Sequence, residues 1–341
     1  MSKIRFGIIG CGMIGDVHAR AICSYRGAEL VAVSDVSKDR ASEFAAKYSA
    51  VPYTDYNEML SSDKIDAVAI CTPSGMHKDQ AIAVIRAGKH VLCEKPMALT
   101  KVDAAAIRDE LSKTDLKLSV MFQTRSVDDI KYLKGVIERG ELGRLTLCDL
   151  YMKYWRGEDY FKVAPWRGTF AMDGGGALMN QGIHGVDIMH YLLGTPKLLG
   201  AKVKTLCHSI ETEDTAVALV EYPGGALGVI EAATSTNPGF DRRIEISGTK
   251  GYAVIVDSML EKLYVDGKMV IDKEIEASAG TASNPSLLSH ERHEAMLANF
   301  VKAINGEEEL ISDVNAGYNS VSFVEDVYTL SKTTNRKTRT L

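Results

Sequence analysis

Hydrophobic positions along the chain fall into two textures. Up to about residue 123, short apolar runs at 4–9, 30–34, 67–71, 91–93 and 118–122 alternate with stretches of helical periodicity. Each run is nearly continuous rather than alternating, the pattern of strands buried on both faces of a parallel sheet. The helices between them have readable ends. Thr100 and Asp103 stand at capping-box spacing, with Asp in place of the usual Glu, and Gly88 closes the helix that carries Ile82 and Ile85. These elements predict a doubly wound α/β domain over residues 1–123.

From residue 124 the texture changes. After a helix at about 128–139, strands follow one another at 145–152, 198–207, 215–222, 226–234, 244–247, 252–256 and 260–265. Turns such as Pro223-Gly224-Gly225 and Gly248-Thr249-Lys250-Gly251 join them as hairpins. One helix at about 177–193 interrupts the series, and two more, at about 290–305 and 314–333, end it. The predicted second domain, residues 124–341, is α+β with a large, mostly antiparallel open sheet. Its strands 215–222 and 226–233 are apolar on both faces, the first with Ala216, Ala218 and Val220 on one and Val217 and Leu219 on the other. A sheet with one wet face alternates apolar and polar residues, so the second face needs a cover. A second copy of the chain is the simplest one, which predicts a homodimer or homotetramer. The polar, basic tail 335–341 reads as a solvated end.

Composition narrows the function classes. A length of 341 residues suits two domains. Forty Lys and Arg against 45 Asp and Glu give a net charge of −5 without long charge runs, so the basic footprint of a nucleic-acid binder is missing. No apolar stretch reaches the ~20 residues of a membrane span, and a strand starting near Lys3 is expected to leave no room for a signal peptide. The cysteines Cys11, Cys23, Cys71, Cys93, Cys148 and Cys207 are widely spaced and form no C-x-x-C pair. They read as reduced thiols of a cytoplasmic protein.

The first run is followed by Gly10-Cys11-Gly12-Met13-Ile14-Gly15, a G-x-G-x-x-G between a strand and a helix. The first Gly makes the tight turn, the second lets a pyrophosphate reach the backbone, and the third lets helix and strand pack closely. The helix start then offers free N–H groups to the phosphates, which extends the expected contact to Met13 and Ile14. Asp35 ends the second run, 20 residues past Gly15. An acid there accepts hydrogen bonds from the adenosine ribose and repels a 2′-phosphate, so the expected cofactor is NAD, with NADP disfavoured. Lys38 and Arg40 lie close behind and keep a 2′-phosphate partner available.

Ligands of a parallel sheet sit beyond the carboxyl ends of its strands. That rule brings Thr72, Pro73, Ser74 and His77, after the run 67–71, toward the cofactor, although the same residues also start a helix. After the run 91–93 come Glu94-Lys95-Pro96. Pro96 biases Lys95 to extended backbone and favours a cis bond. A partly buried ammonium beside a positive nicotinamide ring would have a depressed pKa and could transfer a proton, whereas a surface lysine before a turn would do nothing. In the second domain, Gly174-Gly175-Gly176 leads into a helix on which Asn180, His184, Asp187 and Tyr191 share one face. Gly182 and Gly185 inside it suggest close approach to the backbone, and a nicotinamide ring would fit. His184, with a carboxamide one turn before it and a carboxylate one turn after, is an acid/base candidate. No metal site is expected: His184 and His190 diverge around their helix, and His290 and His293 read as helix-surface residues without a third ligand.

Residues 151–170 carry seven of the chain's 24 aromatics, including Tyr154, Trp155, Tyr160 and Trp166, with Arg156 and Arg167 interleaved. Some are core. The density favours a platform for a polyhydroxylated ring, with Tyr154, Arg156, Trp166 and Arg167 as substrate-binding candidates and the arginines available for an acid or phosphate.

Residues 10–15, Thr72-Pro73 with His77, Glu94-Lys95-Pro96, Gln123 and Arg125 after the run 118–122, and the Gly-Gly-Gly…His helix up to Asp187 together resemble the Gfo/Idh/MocA oxidoreductases. That is the family of glucose–fructose oxidoreductase and inositol dehydrogenase, and the resemblance spans essentially the whole chain. It implies an N-terminal Rossmann domain and hydride transfer between a nicotinamide and a secondary alcohol or ketone of a sugar, sugar derivative or cyclitol. It also implies that Lys95 orients the reacting hydroxyl and relays its proton, that His184 is the acid/base group, and that Glu94, Lys95 and Gln123 lie along the cofactor. Many members carry Asp where this chain has Asn180, and Gln where it has Met296. Asn180 can still hydrogen-bond a substrate hydroxyl. Two other readings come with the resemblance: an NAD-dependent glycosidase that oxidises its sugar transiently, and a non-catalytic, nucleotide-responsive regulator.

Overall fold

The computed structural model describes residues 3–274 and 290–337, with side chains to residue 333; the end of the basic tail lies outside the described residues. The chain forms two compact units. The first runs to Ser126 and takes in the later stretch that ends at Tyr318; the second runs from Val127 and resumes at Asn319.

The first unit is a six-stranded sheet of β1 (Ile4–Ile9), β2 (Ala28–Ser34), β3 (Val51–Tyr53), β4 (Ala67–Ile70), β5 (His90–Cys93) and β6 (Leu118–Val120), in the order β3-β2-β1-β4-β5-β6. Every pairing is parallel. With helices α1 (Met13–Ser24), α2 (Lys38–Tyr48), α3 (Tyr56–Leu60), α4 (His77–Arg86) and α5 (Lys101–Leu111) in the connections, this is the doubly wound order of a Rossmann domain. The predicted caps are present. Thr100 accepts the Asp103 N–H at the start of α5, and Gly88, at φ +72°, follows α4.

The second unit holds α6 (Asp128–Glu138), β7 (Leu145–Lys153), α7 (Glu158–Lys162), α8 (Ile183–Leu193), β8 (Lys197–Lys204), β9 (Thr215–Glu221), β10 (Leu227–Ala233), β11 (Arg243–Gly248), β12 (Gly251–Val256), β13 (Met259–Val265) and β14 (Lys268–Asp272). The sheet order is β14-β13-β12-β11-β7-β10-β9-β8, and only the central β7–β10 pair is parallel. As the two-faced pattern predicts, Ala216, Ala218 and Val220 are buried, while Val217, Leu219 and Leu227 stay 45–46% exposed.

Two later helices follow, α9 (Glu291–Ile304) and α10 (Val314–Lys337). The sequence-based cut at 123/124 gives α9 to the second domain. In the structure α9 belongs to the first unit, because its apolar face completes that core: Met296, Leu297, Phe300 and Val301 pack with Phe6, Ile8 and Ile22, and the rings of Phe6 and Phe300 lie 6.2 Å apart. Met296 is thus a core residue.

Candidate active site

The three fingerprint glycines are needed for different reasons. Gly10 has φ +102°, and a Cβ there would lie 2.7 Å from the Cys71 carbonyl oxygen. A Cβ on Gly15 would lie 2.2 Å from the Gly10 carbonyl oxygen. Gly12 meets nothing within 4 Å, so the protein itself does not require it to be bare. It is also the N-cap of α1, and no side chain caps that helix. The bare backbone at a helix start forms a cradle suited to a pyrophosphate. Met13 is exposed, and Ile14 packs at the core edge.

Asp35 completes the nucleotide side. Its Oδ2 accepts the Cys11 N–H at 3.1 Å, and its Oδ1 accepts the Ser37 N–H and the Arg40 Nη2 at 2.9 Å each. Burial alone would raise its pKa; the bonds from Arg40, Ser37 and Cys11 outweigh that and hold the carboxyl below its ordinary value. Arg40 is therefore already engaged by Asp35, which makes it a poorer partner for a 2′-phosphate.

The ends of β4 and β5 are tied together by His77. Its Nε2 lies 2.9 Å from the Thr72 oxygen and its Nδ1 2.8 Å from the Pro96 oxygen. The Lys95–Pro96 bond is cis. His77 is fully buried, so the structure places it behind the turn it fixes. Thr72 donates to Gln80 at 2.6 Å, Pro73 opens the next turn, Ser74 is buried, and Lys95 is half-buried. Gln123 is half-exposed, with a buried Oε1 that meets no donor among the described residues.

Glu94 stands at the centre of a buried cluster. Its Oε1 lies 2.8 Å from His18 Nε2 and 3.6 Å from His293 Nε2, and its Oε2 accepts the Lys95 N–H at 3.2 Å. Burial would raise Glu94, but the bonds from His18 and His293 prevail and keep it well below the carboxylate range. The expectation that His293 lies on a helix surface without a third ligand is corrected here. It is 2% exposed on α9, and the three donor atoms lie within 4.8 Å of one another, a spacing that could also hold a metal ion.

In the second unit, the predicted helix 177–193 begins as a π-helical turn, Ala177–Gly182, and continues as α8. Such turns recur at functional sites, and the wider turn breaks the single face drawn from α-helical spacing. Asn180 and His184 remain half-exposed, whereas Asp187 is fully buried near Ser320, and Tyr191 lies under Lys134. The reading of Gly182 and Gly185 is also corrected. What approaches them is β7: a Cβ on Gly185 would lie 2.4 Å from Met152 Sδ, and one on Gly182 would lie 3.0 Å from Met152 Cε.

The start of this helix is held by Glu213, which the sequence gives no reason to single out. Its Oε2 accepts the Gly176 N–H at 3.0 Å, and its Oε1 accepts the Leu178 N–H at 2.8 Å and the Tyr328 hydroxyl at 2.9 Å. Burial raises its pKa to about 6 in spite of these bonds. The folded state thus takes up this proton more readily than the unfolded chain. The resulting stability is present below the ordinary 4.5 and is lost as pH rises through about 6. In urea titrations, Glu213→Gln should remove roughly 2 kcal/mol of the difference between pH 4 and pH 7. An unchanged difference would show that Glu213 titrates normally.

A polar chain runs along the exposed side of the π-helical turn. Arg156 Nη2 donates to Gln181 Oε1 at 2.6 Å, and Gln181 Nε2 donates to Asn180 Oδ1 and the Tyr160 hydroxyl at 2.8 Å each. Asn180 Nδ2 donates in turn to Asp173, whose other oxygen accepts the Gly168 N–H. Gln181 and Asp173 escape the sequence reading: Gln181 is visible only as a neighbour of Asn180, and Asp173 only through the fold. Tyr154 is buried, while Trp166 and Arg167 are half-exposed.

Comparison with known proteins places both units. Residues 4–122 match the family described as "Oxidoreductase family, NAD-binding Rossmann fold", and residues 130–254 match the GFO/IDH/MocA C-terminal domain. The chain is 31% identical to myo-inositol 2-dehydrogenase of Thermotoga maritima over 268 residues, 77% of this chain and 78% of that protein. It is 27% identical to D-glucoside 3-dehydrogenase of Escherichia coli, over 98% of this chain and 97% of the relative. The crystal structure of the WlbA dehydrogenase from Bordetella pertussis, in complex with NADH and UDP-GlcNAcA, superposes with a TM-score of 0.87 at 30% identity, covering 97% of this chain and 96% of that one. No helix among the described residues is long and apolar enough to cross a membrane.

Proposed function

The chain belongs to the Gfo/Idh/MocA family of NAD-binding oxidoreductases, and from that premise we propose that it is an NAD-preferring dehydrogenase acting on a ring alcohol of a sugar, sugar derivative or cyclitol, or on the matching ketone in reverse. The observation that carries this reading is Gly12. The protein's own packing explains Gly10 and Gly15, whereas Gly12 meets no protein atom and stands at a helix start that no side chain caps, which leaves its backbone open to a bound group. Backbone N–H groups of Gly12, Met13 and Ile14 hold the pyrophosphate, and Asp35 takes the ribose hydroxyls. Thr72, Pro73, Ser74, Glu94, Lys95 and Gln123 line the rest of the cofactor's path, and His77 fixes the turn beside it. The nicotinamide, when bound, accepts or returns the hydride.

The chain's own residues handle the proton. Lys95 presents its ammonium to the reacting hydroxyl, and Glu94 holds its backbone. His184 is the acid/base partner, and Asn180 binds a hydroxyl of the ring. Asn180 is uncharged and its amide donates to the Asp173 carboxylate behind it, which fixes how Asn180 is presented to the ring. Tyr154, Arg156, Trp166 and Arg167 form the substrate platform, with Tyr154 contributing from a buried position. Intracellular NAD and unpaired cysteines suit a cytoplasmic enzyme.

The test is NADH formation, followed by absorbance, over a panel of sugars, inositols, sugar acids and nucleotide sugars, together with fluorescence titration of NADH and NADPH. NADH should appear with at least one class, and NADPH should bind more weakly. Equal or tighter NADPH binding overturns the cofactor preference, and a cleaved glycoside without net NADH replaces the dehydrogenase by a glycosidase.

We also propose that the outer face of the second sheet, with Leu147, Val217, Leu219 and Leu227, is covered by another copy, giving a dimer or tetramer. Light scattering at micromolar concentration should give a multiple of the chain mass, and Leu219→Glu should shift it toward the monomer. A monomeric parent protein refutes this assembly.

A further inference from the structure

We propose that the substrate is an acidic sugar, and that Arg156 and Arg167 form the receptor for its oxyanion, a carboxylate or a phosphate. The proposal rests on the dehydrogenase reading for the chemistry at this site, and on the charge balance around two guanidinium groups for what the site binds.

Arg156 follows β7, with its backbone hydrogen-bonded on both sides. Its N–H donates to the Thr234 oxygen at 2.9 Å, and its own oxygen lies 2.7 Å from His208 Nε2. The residue is 6% exposed. Its guanidinium reaches two neutral acceptors, the Trp155 oxygen at 3.0 Å and Gln181 Oε1 at 2.6 Å, while its buried Nε meets none. Arg167 reaches the Tyr160 oxygen at 3.0 Å, and its Nε is likewise buried without an acceptor. Both cations lean on one ring: Arg167 lies 4.1 Å and Arg156 5.4 Å from the Tyr160 centroid.

Among the described residues, no carboxylate comes within ion-pair distance of either group. The nearby acids are already committed. Asp173 holds Gly168 and Asn180, Glu213 holds Gly176, Leu178 and Tyr328, and Asp214 holds the N–H groups of Leu206, Cys207 and His208. Burial pushes Arg156 below its ordinary pKa, and the charge of Arg167 adds to the same effect. Contact with an aromatic face compensates only part of the cost of burying an unpaired cation. Two such cations side by side form a stable arrangement when a ligand brings the missing negative charge, and arginine's planar fork matches carboxylate and phosphate oxygens. Gln181 alone separates Arg156 from Asn180, so an anion held here belongs to the molecule whose hydroxyl Asn180 binds.

The experiment uses the NAD-loaded protein for turnover and the NADH-loaded protein for binding by calorimetry. The probes are paired to differ in charge: D-glucose with D-glucuronate, D-glucose with D-glucose 6-phosphate, and UDP-glucose with UDP-glucuronate. In at least one pair the more acidic member should be favoured by ~10-fold or more in kcat/KM or affinity, the scale of one charge-assisted contact. An advantage for glucuronate identifies a carboxylate, and one confined to glucose 6-phosphate identifies a phosphate. Arg167→Gln and the milder Arg156→Lys should each collapse that preference, the half-exposed Arg167 being the safer site for folding. Equal handling of both members in every pair overturns the proposal, and so does a preference that survives both substitutions. NADH formed equally from neutral and acidic probes leaves the dehydrogenase reading standing while this one falls. Selective anion binding without NADH from any probe does the reverse.

Discussion

Lys95→Ala and His184→Ala are each expected to lose most turnover while still binding NAD with near-normal affinity. The cradle at Gly12 and the carboxylate of Asp35 are built from the backbone of the β1–α1 turn and from contacts with Cys11, Ser37 and Arg40, none of which involves either side chain. Lys95→Ala also leaves the surrounding turn in place, because Glu94 holds the residue through its backbone N–H and His77 holds the Pro96 carbonyl. On the proposed mechanism what is lost is a group that moves a proton, and such groups contribute about 10²–10⁴ in rate. The deficit should therefore appear in kcat rather than in cofactor affinity. If both residues serve the same proton, the double variant should be little slower than the slower single one. Steady-state kinetics with a NADH titration separates the cases. Normal turnover in His184→Ala removes its acid/base role, and a large loss of NAD affinity in Lys95→Ala makes that residue a cofactor anchor instead.

The sequence showed most where the physical cause is local. Five of the six strands of the first sheet are nearly continuous apolar runs, and the dinucleotide turn is a set of glycines at fixed spacing. β3 and β14 escaped because Val51–Tyr53 and Lys268–Asp272 are short, largely exposed edge strands: the first carries a proline, and the apolar run of the second, 269–271, is only three residues long. The π-helical turn at Ala177–Gly182 leaves no periodic mark, so residues placed on one helical face in fact divide between the half-exposed Asn180 and His184 and the buried Asp187. Glycines 182 and 185 were legible as sites of close approach, but a single chain does not say what approaches; Met152 does. His293 is the clearest case of information held only by the fold. Its partner Glu94 lies 199 residues earlier in the chain, and nothing near His293 in sequence tells a helix surface from a buried cluster. The residues proposed for the site from sequence sit at strand ends, in glycine-rich turns, in the aromatic segment 151–170 or on the helix that follows Gly174–Gly176. Those that were missed, Gln181, Asp173 and Glu213, act through hydrogen bonds that tertiary structure assembles.

Substituting the three fingerprint glycines one at a time should separate folding from cofactor binding. In Gly12→Ala the added methyl meets no protein atom within 4 Å, and the backbone at φ −88° is open to any residue. The fold should lose about 1 kcal/mol at most, the cost of a poorer N-cap. On the proposed binding mode the same methyl stands where the pyrophosphate approaches the helix start, so NADH affinity should fall by ~10- to 100-fold, the loss of one or two charge-assisted hydrogen bonds. Gly15→Ala reverses the pattern. Its methyl would lie 2.2 Å from the Gly10 carbonyl oxygen, and neither backbone can move away without parting α1 from β1. That overpacking should cost roughly 1–3 kcal/mol of stability, or more. Gly10→Ala adds a left-handed φ of +102° to a 2.7 Å clash with Cys71 and should be at least as damaging. Urea unfolding of the apoprotein, set beside NADH fluorescence titration, reads both quantities for each variant. Wild-type NADH affinity in Gly12→Ala would mean that the phosphates lie elsewhere, and the case for a dinucleotide at this turn would fail with it.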